Sequence, residues 1–359
     1  MNIFIHAIVV ILSTYLAFTN NLAAFINQKI LHEATPTETT GVSMNIPSLP
    51  SIFKGSVPDV LLQSKEYQQA ALGAAEGLSG GTTNDPMSAI VNIFCTFTTK
   101  DYVRTTTGSG FFIDPDGIIM TNAHIAQFLL LEKSDKFGDA HCTVRTGSPA
   151  ESRYNAELLY VSPAWVAQNA SLIESNTPMG TGERDYALLY VTGGTNGWPL
   201  PAQFPSLAFN DELLPVSVKD APVTAAGYPA TDLIEHGPNT ALLGRVAKTS
   251  ISELYTFGSN YADVIAIRGS EVGAEGASGG PILNSKNEVI GMIATKGDDG
   301  TDGSGSLRAI TLSHINRTIK EETGFTLAQN LNGDLPYRAK IFNDTMTPFL
   351  VKLFEDAKQ

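Results

Sequence analysis

Apolar residues in this chain come mostly in short runs, broken by glycine, proline or a polar turn. Residues 90–97 alternate in part. Residues 108–113 and 118–120 flank the turn Asp114-Pro115-Asp116-Gly117. Asp185 opens the apolar run 186–191, residues 223–229 read as a strand and turn, and 264–267 as a strand. Residues 281–283 and 289–293 read as a hairpin around 284–287. Runs of this length between turn residues predict strands. Helical signals are fewer. They fall at 57–78 (Pro58 near its start, Gly77 near its stop), at 125–131, at 164–173 behind Ser162-Pro163, and at 348–357. The pattern predicts an all-β body with many turns and a few attached helices.

The N-terminus breaks this pattern. Residues 3–18 are almost wholly apolar, a second apolar patch covers 22–26, and neither Lys nor Arg precedes Lys29. As one unit the segment is long enough to span a bilayer as an uncleaved anchor; its first patch alone resembles the core of a cleaved signal peptide. Either reading predicts export, with the body membrane-anchored outside the cytoplasm, secreted or periplasmic. Residues 30–56, rich in Thr, Ser and Pro, read as a linker or stalk, and residues 80–84 as a second hinge. The expected organisation is a leader over 1–28, a stalk with a helix over 29–86, a strand-rich body over 87–318 and a C-terminal extension over 319–359.

Charge and cysteine count narrow the chemistry. A net charge of −13 over 359 residues argues against nucleic-acid binding, which needs a basic face. Two cysteines are too few for a zinc site of the usual spacing. Cys95 and Cys142 fall in strands of the body. A disulfide between them, if the chain is exported, and two buried free thiols are equal alternatives here. The loop 297–303 is acidic but lacks the distal glutamate of a calcium-binding loop. Nothing points to a metal or an organic cofactor.

The stretch Gly276-Ala277-Ser278-Gly279-Gly280-Pro281 stands apart. Flanking glycines let the backbone turn tightly and let another molecule approach a serine hydroxyl. Serine is a weak nucleophile without a base and an orienting acid. Upstream, Thr121-Asn122-Ala123-His124 follows a strand-turn-strand unit, and Asp185 stands at the mouth of a strand. The order His, Asp, Ser discriminates between folds. A nucleophile elbow of the α/β-hydrolase kind needs its acid and histidine after the serine, and only His314 follows Ser278.

With Gly108-Ser109-Gly110-Phe111, these stretches resemble the trypsin/chymotrypsin-like serine proteases, most closely the bacterial HtrA-type branch, over residues 88–318. The resemblance implies two antiparallel β-barrels, the first over about 87–200 and the second over about 213–315, with the site between them. It implies a serine endopeptidase acting on protein or peptide substrates. Ser278 would be nucleophile, His124 base, Asp185 the acid that orients it, and the N–H groups of Gly276 and Ser278 the oxyanion hole. It also implies that Ala294-Thr295-Lys296 pairs with the substrate backbone. The chain after Ile315 is too short for the PDZ domain common in HtrA-type proteins. Val272 is expected at the base of the specificity pocket, favouring apolar or small side chains; Glu271 or Glu275 reaching a basic side chain is the other reading. A catalytically silent binding module on the same fold is the competing function.

Overall fold

The structure, a computed structural model, describes residues 60–72, 81–98, 103–173, 182–237 and 240–357. The apolar leader and most of the stalk lie outside the described residues. Within the helix expected over 57–78, the described part is two pieces, α1 (Val60–Gln63) and α2 (Lys65–Leu72). They break at Ser64, whose hydroxyl accepts from the Tyr67 N–H (3.2 Å) and so starts a new helix. Among the described residues no helix is long and apolar enough to cross a membrane.

After α3 (Pro86–Ala89), capped by the Asp85 carboxylate, the chain builds its first barrel. The strands are β1 (Ile90–Thr98), β2 (Val103–Asp114), β3 (Ile118–Thr121), β4 (Asp139–Thr146), β5 (Glu151–Val161) and β6 (Ala187–Gly194). They close antiparallel in the order β1-β2-β3-β6-β5-β4. Two helices interrupt it: α4 (Ala123–Leu131) between β3 and β4, and α5 (Pro163–Asn169) between β5 and β6. The helix predicted over 164–173 ends early, at Asn169, and continues as a 3₁₀ turn.

The second barrel is β7 (Pro222–Gly227), β8 (Arg245–Tyr255), β9 (Val264–Ile267), β10 (Pro281–Leu283), β11 (Val289–Lys296) and β12 (Leu307–Thr311), closed as β10-β11-β12-β9-β8-β7. Helix α6 (Thr231–His236) lies in the β7–β8 connection, and the single turn α7 (Asp299–Asp302) in the β11–β12 connection. In that acidic loop the Asp298 carboxylate accepts from Gly300 N–H and Thr301, and Asp299 accepts from Ser306. Both thus serve the local backbone. Closure removes sheet edges and buries the inward residues of each barrel, among them Ile93, Phe111 and Leu189 in the first and Val223, Ile265 and Leu307 in the second.

A helical tail follows: α8 (Leu312–Thr323), α9 (Leu327–Asn330), α10 (Leu335–Ile341), one π-helical turn (Phe342–Met346) and α11 (Thr347–Ala357). Thr311 caps α8 by accepting from the His314 N–H, and Gly324 ends it in the left-handed conformation. Helix α11 packs on α4 and α5. Near its start α8 is tied to the second barrel. The Asp263 carboxylate meets His314 (3.1 Å), Arg317, Ser259 (2.7 Å) and the Phe257 N–H (2.7 Å).

Cys95 and Cys142 face each other across the β1–β4 ladder and form a disulfide. The bond closes a loop with a sequence separation of 47. By the chain-entropy argument, replacing both by alanine should lower unfolding stability by about 4 kcal/mol, measurable by urea titration. Asp263 supplies a pH test. Burial opposes its ionisation, but the His314, Ser259 and Phe257 bonds outweigh burial and hold the carboxyl at about 2. A depressed carboxyl stabilises the fold above its unfolded value near 4 and loses that contribution as pH falls toward 2. The stability gap between wild type and Asp263→Asn should therefore narrow by roughly 1–2 kcal/mol between pH 4 and 2, solvent screening included.

Candidate active site

Pairing of β3 with β6 sets Thr121 opposite Ala187, so the residues just past β3 meet those just before β6. His124 sits in the first turn of α4, one residue inside the helix rather than ahead of it, because the extended Asn122 is the N-cap. His124 Nδ1 lies 2.7 Å from Asp185 Oδ2, and its backbone N–H donates to Asp185 Oδ1 (2.8 Å). The Asn122 amide, instead of capping α4, donates to the Asp185 carbonyl (2.9 Å). Both side chains of the pair are buried. A buried carboxylate is tolerated only when its oxygens accept hydrogen bonds, and here each oxygen has one from His124.

Ser278 stands on the turn before β10. Gly276 and Gly279, both at φ near +90°, flank it. A Cβ on Gly276 would come within 2.6 Å of the Tyr228 carbonyl, and one on Gly279 within 1.9 Å of the Ser109 carbonyl. Ser109, on β2 of the first barrel, grips this turn. Its N–H donates to the Ser278 carbonyl (2.7 Å), and its hydroxyl donates to the Gly276 carbonyl (2.7 Å) and accepts from the Tyr228 N–H (2.8 Å). Thr121 in turn donates to the Ser109 carbonyl (2.7 Å). The carbonyls on either side of Ala277 are thus held, and the Ala277 N–H bonds back to Ala274 (3.2 Å). Among the described residues, neither the Gly276 nor the Ser278 N–H has a protein acceptor, which leaves two donors for an incoming oxygen.

His124 and Ser278 line one cleft of about 530 Å³. The Ser278 hydroxyl donates to the Ala294 carbonyl (3.2 Å); among the described residues no hydrogen bond joins it to His124. Thr295 and Lys296 also line the cleft, at the end of β11. There the strand pairs with β12 on one side, while its pairing with β10 stops at Met292. Val272 is not on the cleft wall. It is wholly buried in the second barrel core, because the segment before the nucleophile turns its side chain inward. Ala274, Ile293 and Leu307 line the cleft instead, with Leu233 and Ile234 from α6. Glu275 reaches the cleft, whereas Glu271 lines a separate cavity beside Arg245. Ser109, Thr121 and Asn122 were not singled out from the sequence. Their signal was polar side chains set against apolar strands, within motifs read for other residues.

A family model described as a trypsin-like peptidase domain matches residues 108–292. None of the curated proteins matches the chain. Among solved structures, an inactive-form serine-to-alanine mutant of Rv3671c from M. tuberculosis aligns at 20% identity and a TM-score of 0.40, over 70% of this chain and 96% of that one.

The contact made by Gly279 has a direct consequence for stability. Gly279→Ala should destabilise the protein by roughly 3 kcal/mol or more, since its Cβ would strike backbone at an unfavourable φ. Gly193→Ala, where an added Cβ meets nothing within 4 Å, should stay within about 0.5 kcal/mol. Thermal unfolding of the two variants compares them directly.

Proposed function

We propose, because this chain belongs to the trypsin-like peptidase family and is a serine peptidase, that it is an endopeptidase working through Ser278, His124 and Asp185 by way of an acyl-enzyme. The observation that carries the reading is the buried 2.7 Å contact between His124 Nδ1 and Asp185, at a cleft that His124 shares with Ser278. With Nδ1–H donated to Asp185, the other ring nitrogen is left to accept a proton. Attack requires the Ser278 hydroxyl to leave the Ala294 carbonyl and turn toward Nε2, a rotation about χ1 between staggered wells. Ser278 Oγ then bonds to the substrate carbonyl carbon while its proton passes to His124, and the imidazolium is stabilised by Asp185. The oxyanion takes the free N–H groups of Gly276 and Ser278, each worth about 3 kcal/mol in comparable sites. His124 protonates the leaving amine, which departs as the acyl ester forms. Water, deprotonated by the same ring, hydrolyses that ester and restores Ser278.

Substrate geometry follows from β11. Ile293 still exchanges hydrogen bonds with Gly279 and Gly280 (2.8 Å each), but beyond it the edge toward the cleft is unpaired by β10, so an extended peptide can add there as a strand alongside Ala294, Thr295 and Lys296. Ala274, Ile293 and Leu307 offer an apolar wall, which supports an aliphatic side chain before the cleaved bond. The Cys95–Cys142 disulfide supports an oxidising compartment. With the apolar leader, this favours export of the protein, anchored by that leader or freed from it.

The Ser278 contact with Ala294 is the observation that favours the competing reading, a silent binding module. Fluorophosphonate labelling of the full chain separates the two: wild type should label and Ser278→Ala should not, with turnover falling roughly a million-fold in the variant. Equal labelling of both proteins would refute the nucleophile, and failure of both would favour the silent module. Peptide-library cleavage should show aliphatic residues before the scissile bond, with Glu275→Gln changing that preference less than about threefold. A preference for Lys or Arg that is lost in Glu275→Gln would overturn the apolar reading.

A further inference from the structure

Outside the cleft, the carboxyl of Glu322, near the end of α8, is wholly buried, its side chain 0% exposed. It lies beyond the segment matched by the family model. It accepts from the Tyr160 hydroxyl, the Ser162 hydroxyl (2.8 Å) and the Arg184 guanidinium (3.2 Å). Arg184 immediately precedes Asp185. It is buried, holds φ +61°, and also donates to the Thr318 carbonyl (3.2 Å) and to Glu321 (2.6 Å). On the other side of Asp185, the Tyr186 hydroxyl donates to Thr318 Oγ1 (2.8 Å). Both neighbours of Asp185 are therefore moored to the same helix.

A left-handed conformation at a non-glycine residue persists where surrounding contacts over-determine it. Arg184 holds it here with its guanidinium spread across three acceptors of α8. The backbone of residue 184 fixes where residue 185 begins. A carboxylate that must meet one imidazole at 2.7 Å tolerates little displacement, because misplacing a catalytic group by about 1 Å can cost on the order of a hundredfold in rate. We infer that Glu322 is a positioning residue for the candidate triad: through Arg184 it sets the place of Asp185, so that α8 and not the barrel alone orients His124. Helix α8 also contacts Asp263, just before β9 of the second barrel, so the same helix holds segments leading into both barrels. Glu322 itself touches neither substrate nor reacting atoms.

This inference rests on the reading of Asp185 as the orienting acid, and Asp185→Asn is measured alongside for that reason. In the full chain, with folding checked by near-ultraviolet circular dichroism and thermal melting, Glu322→Gln should lower kcat about tenfold or more while KM stays within about twofold. Arg184→Met should do the same. The double variant should fall no further than the worse single one, since both act on one position. Arg184→Lys, which keeps the charge but loses the fork, should recover only part of the loss. Should Glu322→Gln fail to fold, Arg184→Met, which removes the guanidinium that links Glu322 to Asp185, serves in its place and should show the same split between kcat and KM. A folded Glu322→Gln or Arg184→Met enzyme with wild-type kcat would overturn the inference, as would losses that multiply in the double variant. If Asp185→Asn itself kept wild-type kcat, the reading of the triad would fail. If Asp185→Asn collapsed activity while Glu322→Gln did not, only the role of Glu322 would be lost.

Discussion

An ionisable carboxyl almost without access to water must be held by donors, and Asp185 is held by the residue it serves. Its two oxygens take the His124 backbone N–H and the His124 ring. One residue thus supplies both partners, and displacing either strands the other inside the protein, where an unpaired polar group costs several kcal/mol. The segments around it are shaped by this demand. Asn122 gives up its capping role to hold the Asp185 carbonyl, α4 begins where the ring can reach, and the β3–β6 ladder brings both segments to one end of the barrel.

The nucleophile belongs to the other barrel, yet its backbone is set by the first. Ser109 takes hold of the carbonyls of Gly276 and Ser278. The free N–H groups of Gly276 and Ser278 share peptide planes with the Glu275 and Ala277 carbonyls, which accept from the Ala230 N–H (2.7 Å) and the Gly280 N–H (3.0 Å), so their directions are restricted within the turn while Ser109 holds the carbonyls that follow. Thr121, at the end of β3, fixes Ser109 in turn. A polar chain therefore runs from the strand that leads to His124 into the turn that carries Ser278. It couples the two barrels by directional bonds at a junction where apolar contact would leave more freedom. Helix α8 makes a second connection, with Asp263 near one end and Arg184 near the other.

Much of this was legible in the residues. Glycine and proline punctuation marked the strands and the Asp114–Gly117 turn, because those residues act locally on backbone angles. Ser278 stands out by its flanking glycines, and His124 and Asp185 by their places just after one strand and just before another; the structure brings the latter two into contact and places His124 and Ser278 on one cleft. Val272, expected at the base of the specificity pocket, lies in the core of the second barrel; an irregular loop has no period from which inward or outward can be inferred. The break at Ser64 was missed because a serine competes for the backbone only when a restart is favoured by packing.

Local chemistry, then, was decided by the sequence: which segments extend, where the chain turns, and which three residue types could carry acyl transfer. Tertiary structure alone decided that Ser109 would clamp the nucleophile turn, that Cys95 would face Cys142, and that a glutamate in the C-terminal tail would lie against the arginine before Asp185. The reason is separation. Those partners are far apart along the chain, no periodic pattern links them, and only closure of two barrels and the docking of a helix across them bring the groups within bonding range.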